Sequence, residues 1–491
     1  MNSLYIHVCH HGSITIVSDN EIVVHTQQDR FSRFKNAGIP SYALVKKIAD
    51  LNIKFDKVFF TFLKNENHFI LWYSWLKQFN LITPNTVFEY EFRRHHFFHA
   101  MCSRHIYSSA WDFMVCDESG ADMGEAYETE SFFMKMSDQR FSLRSRSETQ
   151  DRNNIGALYS KYTFDLGFGL FEEGKTMALS VYGKVNDKLY NEIYDGSSLK
   201  YVKSTIDNKD IAATIQKVFE DYTFKLFDEN IIKYSHRFSF ITLSGGFAQN
   251  IINNTKIQDK VFNTILPDPM NGDFGISLGA AYTYENLKPF KGIFMGFNQS
   301  LDTRMFGNVK TVNVHEVAKI LMEEPVAIFQ SRSEQGQRAL GNRSLLMNPL
   351  HKDCLAKINK IKKREWFRPF AGTVLAEHRL KYFDIPYDEN NYNPYMMFMY
   401  KIKDKRLKNI ASIDNYSRVQ TLTVDFNPNY YKLIKEFSVL SGLPIVLNTS
   451  LNMPGHVIVE TLDDVKEMME KTELKYCYLP EVNKLIIHEN K

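Results

Sequence analysis

The sequence predicts an α/β fold in two unequal parts, on three observations. Short apolar runs of strand length alternate with segments of helical period, the pattern of layered α/β proteins rather than of a bundle or a sandwich. At 491 residues the chain exceeds one ordinary core. Apolar patterning also breaks near residues 296–310, where Gly296, Asn298, Ser300 and Gly307 interrupt it.

Taken in order, residues 4–8 are apolar and Gly12 breaks the run. Residues 13–17 form a second strand, and Asp19-Asn20 turns the chain into a third over 21–26. Further strands are expected over 57–63, 113–117 and 238–243, with helical period after the last and again over 276–287. Residues 137–154 are polar and charged without apolar period, and read as a surface loop. Beyond the break come strands over 325–329, 418–424 and 445–447, and a helix over 463–470. No repeat of 20–50 residues and no low-complexity tract is evident.

Hydrophobic residues make up 44% and charged ones 24%, which excludes wholesale disorder. Lys and Arg total 60 against 57 acids, a balance that does not mark the whole chain as a nucleic-acid binder, although a local basic patch remains open. The five cysteines are odd in number and form no CxxC, against a disulfide scaffold or thiolate zinc site. No apolar run reaches a membrane span of roughly 18 residues, and the N-terminus lacks a basic flank before a long apolar core. A cytoplasmic, unexported protein with no membrane partner is the expectation.

The strongest local signal is Arg93-Arg94-His95-His96-Phe97-Phe98-His99. His95 and His99 stand four apart, so on a helix both imidazoles share a face suited to a metal. His96 with His99 is the competing pair. Asp117 ends an apolar strand, and Asp273 sits in Asn271-Gly272-Asp273-Phe274-Gly275 before a helix. Two histidines and two carboxylates suit Fe(II), Mn(II) or Zn(II), and spacing does not choose among them. In Ser244-Gly245-Gly246-Phe247-Ala248-Gln249-Asn250, strand, glycines and helix come in the order of a nucleotide-binding turn, which makes Gly245, Gly246 and Asn250 candidates. His10 and His11 lie between two strands, and either is a candidate base.

The second part is basic. Arg332, Arg338 and Arg343 fall close together, followed by Lys357, Lys360, Lys362, Lys363, Arg364 and Arg368 among Trp366, Phe367 and Phe370. Such forks and point charges suit phosphate esters. Lys357 and Lys360 read as solvated surface, whereas Arg338 and Arg368 lie in packed-looking sequence where a bare charge needs an anion. Asn448-Thr449-Ser450 offers polar groups at a strand end.

These motifs resemble the O-carbamoyltransferase family of nodulation protein U and of antibiotic biosynthesis, over nearly the whole chain. They include His10-His11-Gly12-Ser13, Gly174-Lys175-Thr176-Met177-Ala178-Leu179, His95 to Ala100, Leu243 to Asn250, Arg338 to Ser344, Arg364 to Phe370, Ser417-Arg418-Val419 and Leu447 to Asn452. The resemblance implies an actin/Hsp70-like (ribonuclease H-like) domain over 1–303, as in tRNA threonylcarbamoyl transferases, and a YrdC-like domain over 304–491. It implies metal ligands His95, His99, Asp117 and Asp273, with Fe(II) the usual ion. It implies His10 and Lys175 as catalytic, and Arg338, Asn342, Arg343, Lys362, Arg368, Arg418, Asn448 and Ser450 as holding carbamoyl phosphate and ATP.

The activity so implied joins the carbamoyl group of carbamoyl phosphate to ATP, releasing pyrophosphate, and passes it from the adenylate to an acceptor hydroxyl with release of AMP. His11 stands where the family often has Asp or Asn, which leaves His10 and His11 both open as the base. A hydroxymethylated base in DNA is the alternative acceptor, less favoured because phosphate substrates already account for the basic segments. A non-catalytic nucleotide-binding scaffold ranks last. The acceptor itself is not encoded in composition, and a homodimer is the base-rate expectation.

Overall fold

The computed structural model describes residues 1–61, 66–91, 93–117, 127–135, 141–149, 154–233, 240–261, 264–386 and 392–489. The chain divides into two compact units. Unit 1 is Met1–Ser32 with Asn36–Lys291, and unit 2 is Arg33–Lys35 with Gly292–Lys491. No helix among the described residues is long and apolar enough to cross a membrane.

Unit 1 contains the same strand plan twice. Strands β1 (Asn2–His7), β2 (Ser13–Ser18), β3 (Glu21–Gln27), β4 (Phe55–Thr61) and β5 (Ile82–Glu91) form a sheet of order β3-β2-β1-β4-β5. The first three are antiparallel, and β1, β4 and β5 run parallel. Strands β6 (Asp112–Cys116), β7 (Tyr127–Lys135), β8 (Phe141–Thr149), β9 (Phe240–Ser244) and β10 (Thr264–Pro267) repeat this as β8-β7-β6-β9-β10. Again three are antiparallel, and β6, β9 and β10 are parallel. The duplication spans far more residues than the repeat periods sought in the sequence, and it resides in topology.

The β2–β3 hairpin turns on Asp19 and Asn20, both at positive φ (50° and 60°), a conformation these residue types tolerate. Residues 141–149, expected to be loop, are strand β8. Among the described residues β8 is an edge strand paired with β7, a position that tolerates polar and charged residues such as Ser142 and Arg144, so apolar periodicity does not develop. Residues 137–140 and 150–153 of that stretch, and parts of the expected strands over 57–63 and 238–243, lie outside the described residues.

The His95–Ile106 helix is buried on most of its surface. Phe98 packs with Tyr5, Val17 and Phe59 of the first sheet and with Ile276, Ala280 and Ala281 of the Ile276–Tyr284 helix. Ala100 packs with Phe113 and Val115 of β6 and Phe133 of β7. One helix is thereby fixed against both sheets.

Unit 2 is built on a ten-stranded mixed sheet. Its strands are β11 (Val309–Thr311), β12 (Val326–Phe329), β13 (Arg343–Met347), β14 (Ala371–Leu375), β15 (Phe383–Asp384), β16 (Met399–Ile402), β17 (Tyr416–Leu422), β18 (Ile445–Ser450), β19 (Tyr476–Leu479) and β20 (Lys484–Ile487). The order is β11-β20-β19-β12-β13-β18-β14-β17-β16-β15, with β12–β19 and β14–β17 parallel. Helices cover it with sequence-encoded ends. Asn313 with Glu316 and Thr461 with Asp464 form capping boxes, and the Pro428–Ser441 helix starts on Asn427-Pro428 and stops at Gly442, φ 68°.

The helix bearing His95 and His99 meets the helix after Asp273 at one point that only glycine permits. A Cβ on Gly279 falls 1.9 Å from the Phe98 carbonyl oxygen. Gly279→Ala is expected to force the helices apart and destabilise the chain by about 1–3 kcal/mol, as overpacked cores do. Calorimetric unfolding checks this.

Candidate functional site

In unit 1 the functional side chains gather at the carboxyl ends of the two equivalent central strands. Strand β1 ends at His7 and leads into Cys9 and His10, and β6 ends at Cys116 and leads into Asp117. Asp273 opens a short 3-10 turn before the Ile276–Tyr284 helix, and His95 and His99 lie one turn apart on their own helix.

One ligand atom from each of His95, His99, Asp117 and Asp273 falls within 4.8 Å of the others. His95 Nε2 lies 3.4 Å from Asp273 Oδ1 and 3.8 Å from Asp117 Oδ2. His99 Nε2 lies 3.4 Å from Asp117 Oδ2 and 3.6 Å from Asp273 Oδ1. Donors bonded to one ion at about 2.0–2.2 Å sit about 3.0–3.6 Å apart, so these spacings suit a shared cation. Both Nε2 atoms are buried without a hydrogen-bond partner among the described residues, a cost that coordination would remove. The residues present therefore fit a divalent metal, and a nitrogen–oxygen donor set suits Fe(II), Mn(II) or Zn(II).

A second layer sets the tautomer of His99. The Ser244 hydroxyl at the end of β9 donates to Asp268 Oδ2 at 3.2 Å, and its oxygen lies 3.4 Å from His99 Nδ1. When the serine hydrogen goes to Asp268, the serine oxygen can accept from Nδ1, the arrangement in which Nε2 would keep its lone pair for a cation at the cluster. Asp268 also accepts from Ser103 and from the Met270 N–H, while its burial raises its carboxyl. Sequence reasoning missed Ser244 and Asp268, although both sit at strand ends. His96 leaves the open choice of pair resolved in geometry, because its Nδ1 bonds Ser131 of β7 at 2.9 Å.

His10 rather than His11 meets the cluster. His10 Nε2 lies 3.2 Å from Asp273 Oδ2, and its ring stacks on Phe171 at 5.1 Å. Burial opposes charge on His10, yet Asp273 and Cys9 outweigh it and push the imidazole up to about 10. His11 is lowered to about 4 by burial and by His10, and its ring packs against Phe171 and Phe274. Burial likewise opposes charge on Asp117 and Asp273, but facing imidazoles hold both carboxyls below their usual range. His7, which sequence reasoning also missed, is buried with Nε2 3.5 Å from Asp273 Oδ2. A histidine closing the apolar run of β1 was the available signal.

Other expected residues are placed differently. Gly245 has φ 87°, and a Cβ there falls 2.3 Å from the Cys116 carbonyl oxygen; one on Gly246 falls 3.0 Å from Asp117 Oδ1. These glycines are needed for a close passage over the end of β6, which accounts for them without a phosphate. Asn250, read as nucleotide-binding, instead caps the Ile251–Lys260 helix and exchanges amide hydrogen bonds with Gln216. Lys175 forms an ion pair with Glu172 at 2.8 Å and is not among the converging ligands.

In unit 2, Arg338, Lys362, Arg364, Arg368 and Arg418 repel one another through space. Glu365, 3.2 Å from Arg368, is the acid paired within this group. Burial, then neighbouring guanidinium charge, lowers Arg364 to about 9 and Arg418 to about 10, and drives Arg338 and Lys362 well down. Arg418 Nε is buried without a hydrogen-bond partner among the described residues. Lys362 donates to the carbonyls of Ser450 (2.7 Å) and Asn452 (2.8 Å), and Arg364 donates to Thr449 Oγ1 (2.8 Å) over the Phe370 ring. Asn448 Nδ2 donates to Thr373 Oγ1 at 3.0 Å while its buried Oδ1 has no partner.

Two residues expected to hold carbamoyl phosphate and ATP make hydrogen bonds within the protein itself. Arg343 is fully buried over Phe329 and donates to the carbonyls of Gln330, Ser331, Asn342 and Glu460. Asn342 donates to the Arg332 carbonyl and accepts from Asn427. Their polar groups tie the loop between β12 and β13 together. Arg364, absent from the expected set, belongs to the basic cluster.

Residues 317–485 match the family described as Carbamoyltransferase C-terminus, and residues 194–282 match Carbamoyltransferase N-terminus. Two uncharacterized proteins of Methanocaldococcus jannaschii are similar. One is 30% identical over 63% of this chain and 58% of its own, the other 28% over 92% and 93%. The 3'-hydroxymethylcephem-O-carbamoyltransferase of Streptomyces clavuligerus is 24% identical over 65% of this chain and 64% of its own. The first and last of these matches span less than two thirds of the relative's length. Among solved structures, HypF of T. kodakarensis matches 57% of this chain and 47% of its own at 10% identity and a TM-score of 0.35. With both family regions matched in order over just over half its length, and relatives extending the likeness beyond them, the chain belongs to the carbamoyltransferase family.

Proposed function

We propose that the chain is an ATP-dependent O-carbamoyltransferase, with an actin/Hsp70-like part over 1–303 that transfers the carbamoyl group and a YrdC-like part over 304–491 that forms carbamoyl-adenylate. The observation that carries this reading is the pairing, in one carbamoyltransferase-family chain, of a buried two-histidine, two-aspartate cluster with a basic cluster holding far more positive than negative charge. The twice-used strand order of unit 1 supports the actin-like assignment.

In unit 2 the chemistry needs an electrophile better than free carbamate. Arg338, Arg368 and Arg418 bind and neutralise phosphoryl oxygens of carbamoyl phosphate and ATP as the anhydride with AMP forms. Atoms balance when water enters, inorganic phosphate leaves carbamoyl phosphate, and pyrophosphate leaves ATP. Lys362 and Arg364 hold the Asn448–Asn452 segment in place through Ser450, Asn452 and Thr449. In unit 1, His95, His99, Asp117 and Asp273 would hold a divalent ion, Fe(II) in the family's usual form, which when bound would supply Lewis-acid stabilisation of phosphate charge. His10, at the rim of that cluster and partly exposed, is held protonated by the Asp273 carboxylate; with that negative charge offset by a cation at the cluster, its imidazole would be neutral and would take the proton of the acceptor hydroxyl as its oxygen attacks the carbamoyl carbon and AMP departs.

With carbamoyl phosphate, ATP, Fe(II) and a panel of hydroxylated acceptors, the protein is expected to release AMP and pyrophosphate and to carbamoylate one acceptor, read by mass spectrometry. A metal-replete preparation releasing neither nucleotide product nor pyrophosphate sinks the reading. Arg418→Ala should slow pyrophosphate release by about 10²–10³-fold, the scale of a lost transition-state charge contact. His99→Ala should leave pyrophosphate release and abolish acceptor carbamoylation. Ser244→Ala should weaken metal binding by about 10–100-fold, as lost outer partners do, measured by competition with a chelating dye.

A further inference from the structure

Asp273 presents two faces, of which the first metal site takes only one. Its Oδ1 points to His95 and His99, 3.4 and 3.6 Å away. Its Oδ2 points to His7 and His10, 3.5 and 3.2 Å away. On that second side, one ligand atom from each of His7, Cys9 and Asp273 lies within 4.8 Å of the others. A carboxylate with nitrogen donors on both sides has the geometry of a bridge between two ions.

We infer that His7, Cys9 and the outer oxygen of Asp273 form a second metal site, for a borderline-soft divalent cation such as Zn(II), bridged by Asp273 to the first. It rests on the reading of Asp273 as a metal ligand.

The tautomer of His7 fits. The Thr61 hydroxyl at the end of β4 donates to the Ile6 carbonyl at 3.5 Å, and its oxygen lies 2.8 Å from His7 Nδ1. With the Thr61 oxygen as acceptor, Nδ1 would carry the proton and Nε2, which is turned toward Asp273, would be the ligating nitrogen. The arrangement mirrors His99, whose Nδ1 meets Ser244. Thr61 and Ser244 close β4 and β9, strands that occupy the same place in the two repeats of the plan. Cys9 follows β1 as Asp117 follows β6, so each repeat supplies one anionic ligand beyond its central strand. One thiol, one imidazole and one carboxylate make a three-ligand set with an open position, the composition of catalytic zinc sites. Binding deprotonates the Cys9 thiol, whose proton passes to solvent, and forms the sulfur–metal bond. The Cys9 sulfur lies 3.3 Å from His10 Nδ1, so the second ion would sit beside the proposed base. An ion on Oδ2 also takes the electron pair that His10 Nε2 otherwise faces, leaving that nitrogen for the acceptor hydroxyl.

Co(II) titration of the full-length apoprotein under anaerobic conditions tests this, with equilibrium dialysis counting ions and absorption reporting thiolate ligation. Two Co(II) per chain are expected, with a sulfur-to-metal charge-transfer band in the near ultraviolet. Cys9→Ser should remove the band and one ion, His7→Asn should remove one ion, and both should keep the other, which also shows that they fold. One Co(II) per chain without the band, or two that survive both substitutions, overturns the second site and leaves the first standing. No bound Co(II) at all overturns both.

Discussion

A carboxylate cut off from water has to be matched by positive charge close by, and in unit 1 that carboxylate is Asp273. Left uncompensated, such a group costs several kcal/mol. Imidazoles reach it from both sides: His95 and His99 from one helix and His10 from beyond β1 are all shifted towards their charged forms, while His7 is held neutral by burial. The matching works only if three separately encoded pieces arrive together. The His95–Ile106 helix is set by packing against both sheets, the Ile276–Tyr284 helix by its closest approach at Gly279, and the β6 end by the passage of Gly245. Glycine at these contacts is part of the electrostatic design, since any side chain there would separate the charges.

The duplicated strand plan explains why so many polar groups converge without long loops. Two sheets with the same order present the carboxyl ends of β1, β4, β6 and β9 to one region of the unit. Each repeat then contributes a hydroxyl at its second parallel strand, Thr61 or Ser244, that fixes an imidazole tautomer. Both hydroxyls meet the outer nitrogen, Nδ1, of a ring in the cluster rather than its inward-facing Nε2. They act by deciding which nitrogen of each ring carries hydrogen, which a metal site must have settled before an ion arrives.

How much of this was legible varies with the physics involved. His95 and His99 were readable because helical spacing alone puts them on one face, and the aspartates because strand ends and glycine-rich turns mark functional positions. The hairpin around Asp19-Asn20 was readable from local turn chemistry. Strand β8 was not, because an edge strand need not be apolar, and the repeat was not, because equal topology requires no equal residues. Arg343 shows the deeper limit. Its neighbours in sequence are the same kinds of residue as those around Arg338, yet its guanidinium is consumed by backbone carbonyls. Sequence gives the presence of a charge; only the fold gives what faces it.

The basic cluster of unit 2 carries this one step further. Lys362 is anchored at a strand end, and Arg364 is stacked and hydrogen-bonded. Their charges are therefore held in position whatever occupies the space between them. Arg368 shares Glu365, and Arg418 has a buried Nε with nothing to donate to. A group that is anchored stays put when a ligand leaves, so it adds field without adding reorganisation. A group with an unmet donor gains a hydrogen bond when an anion comes, which adds affinity. Such a division between fixed field and unmet donor would suit the proposed binding of polyphosphate and release of pyrophosphate, and among the described residues Glu365 is the acid that partners this group.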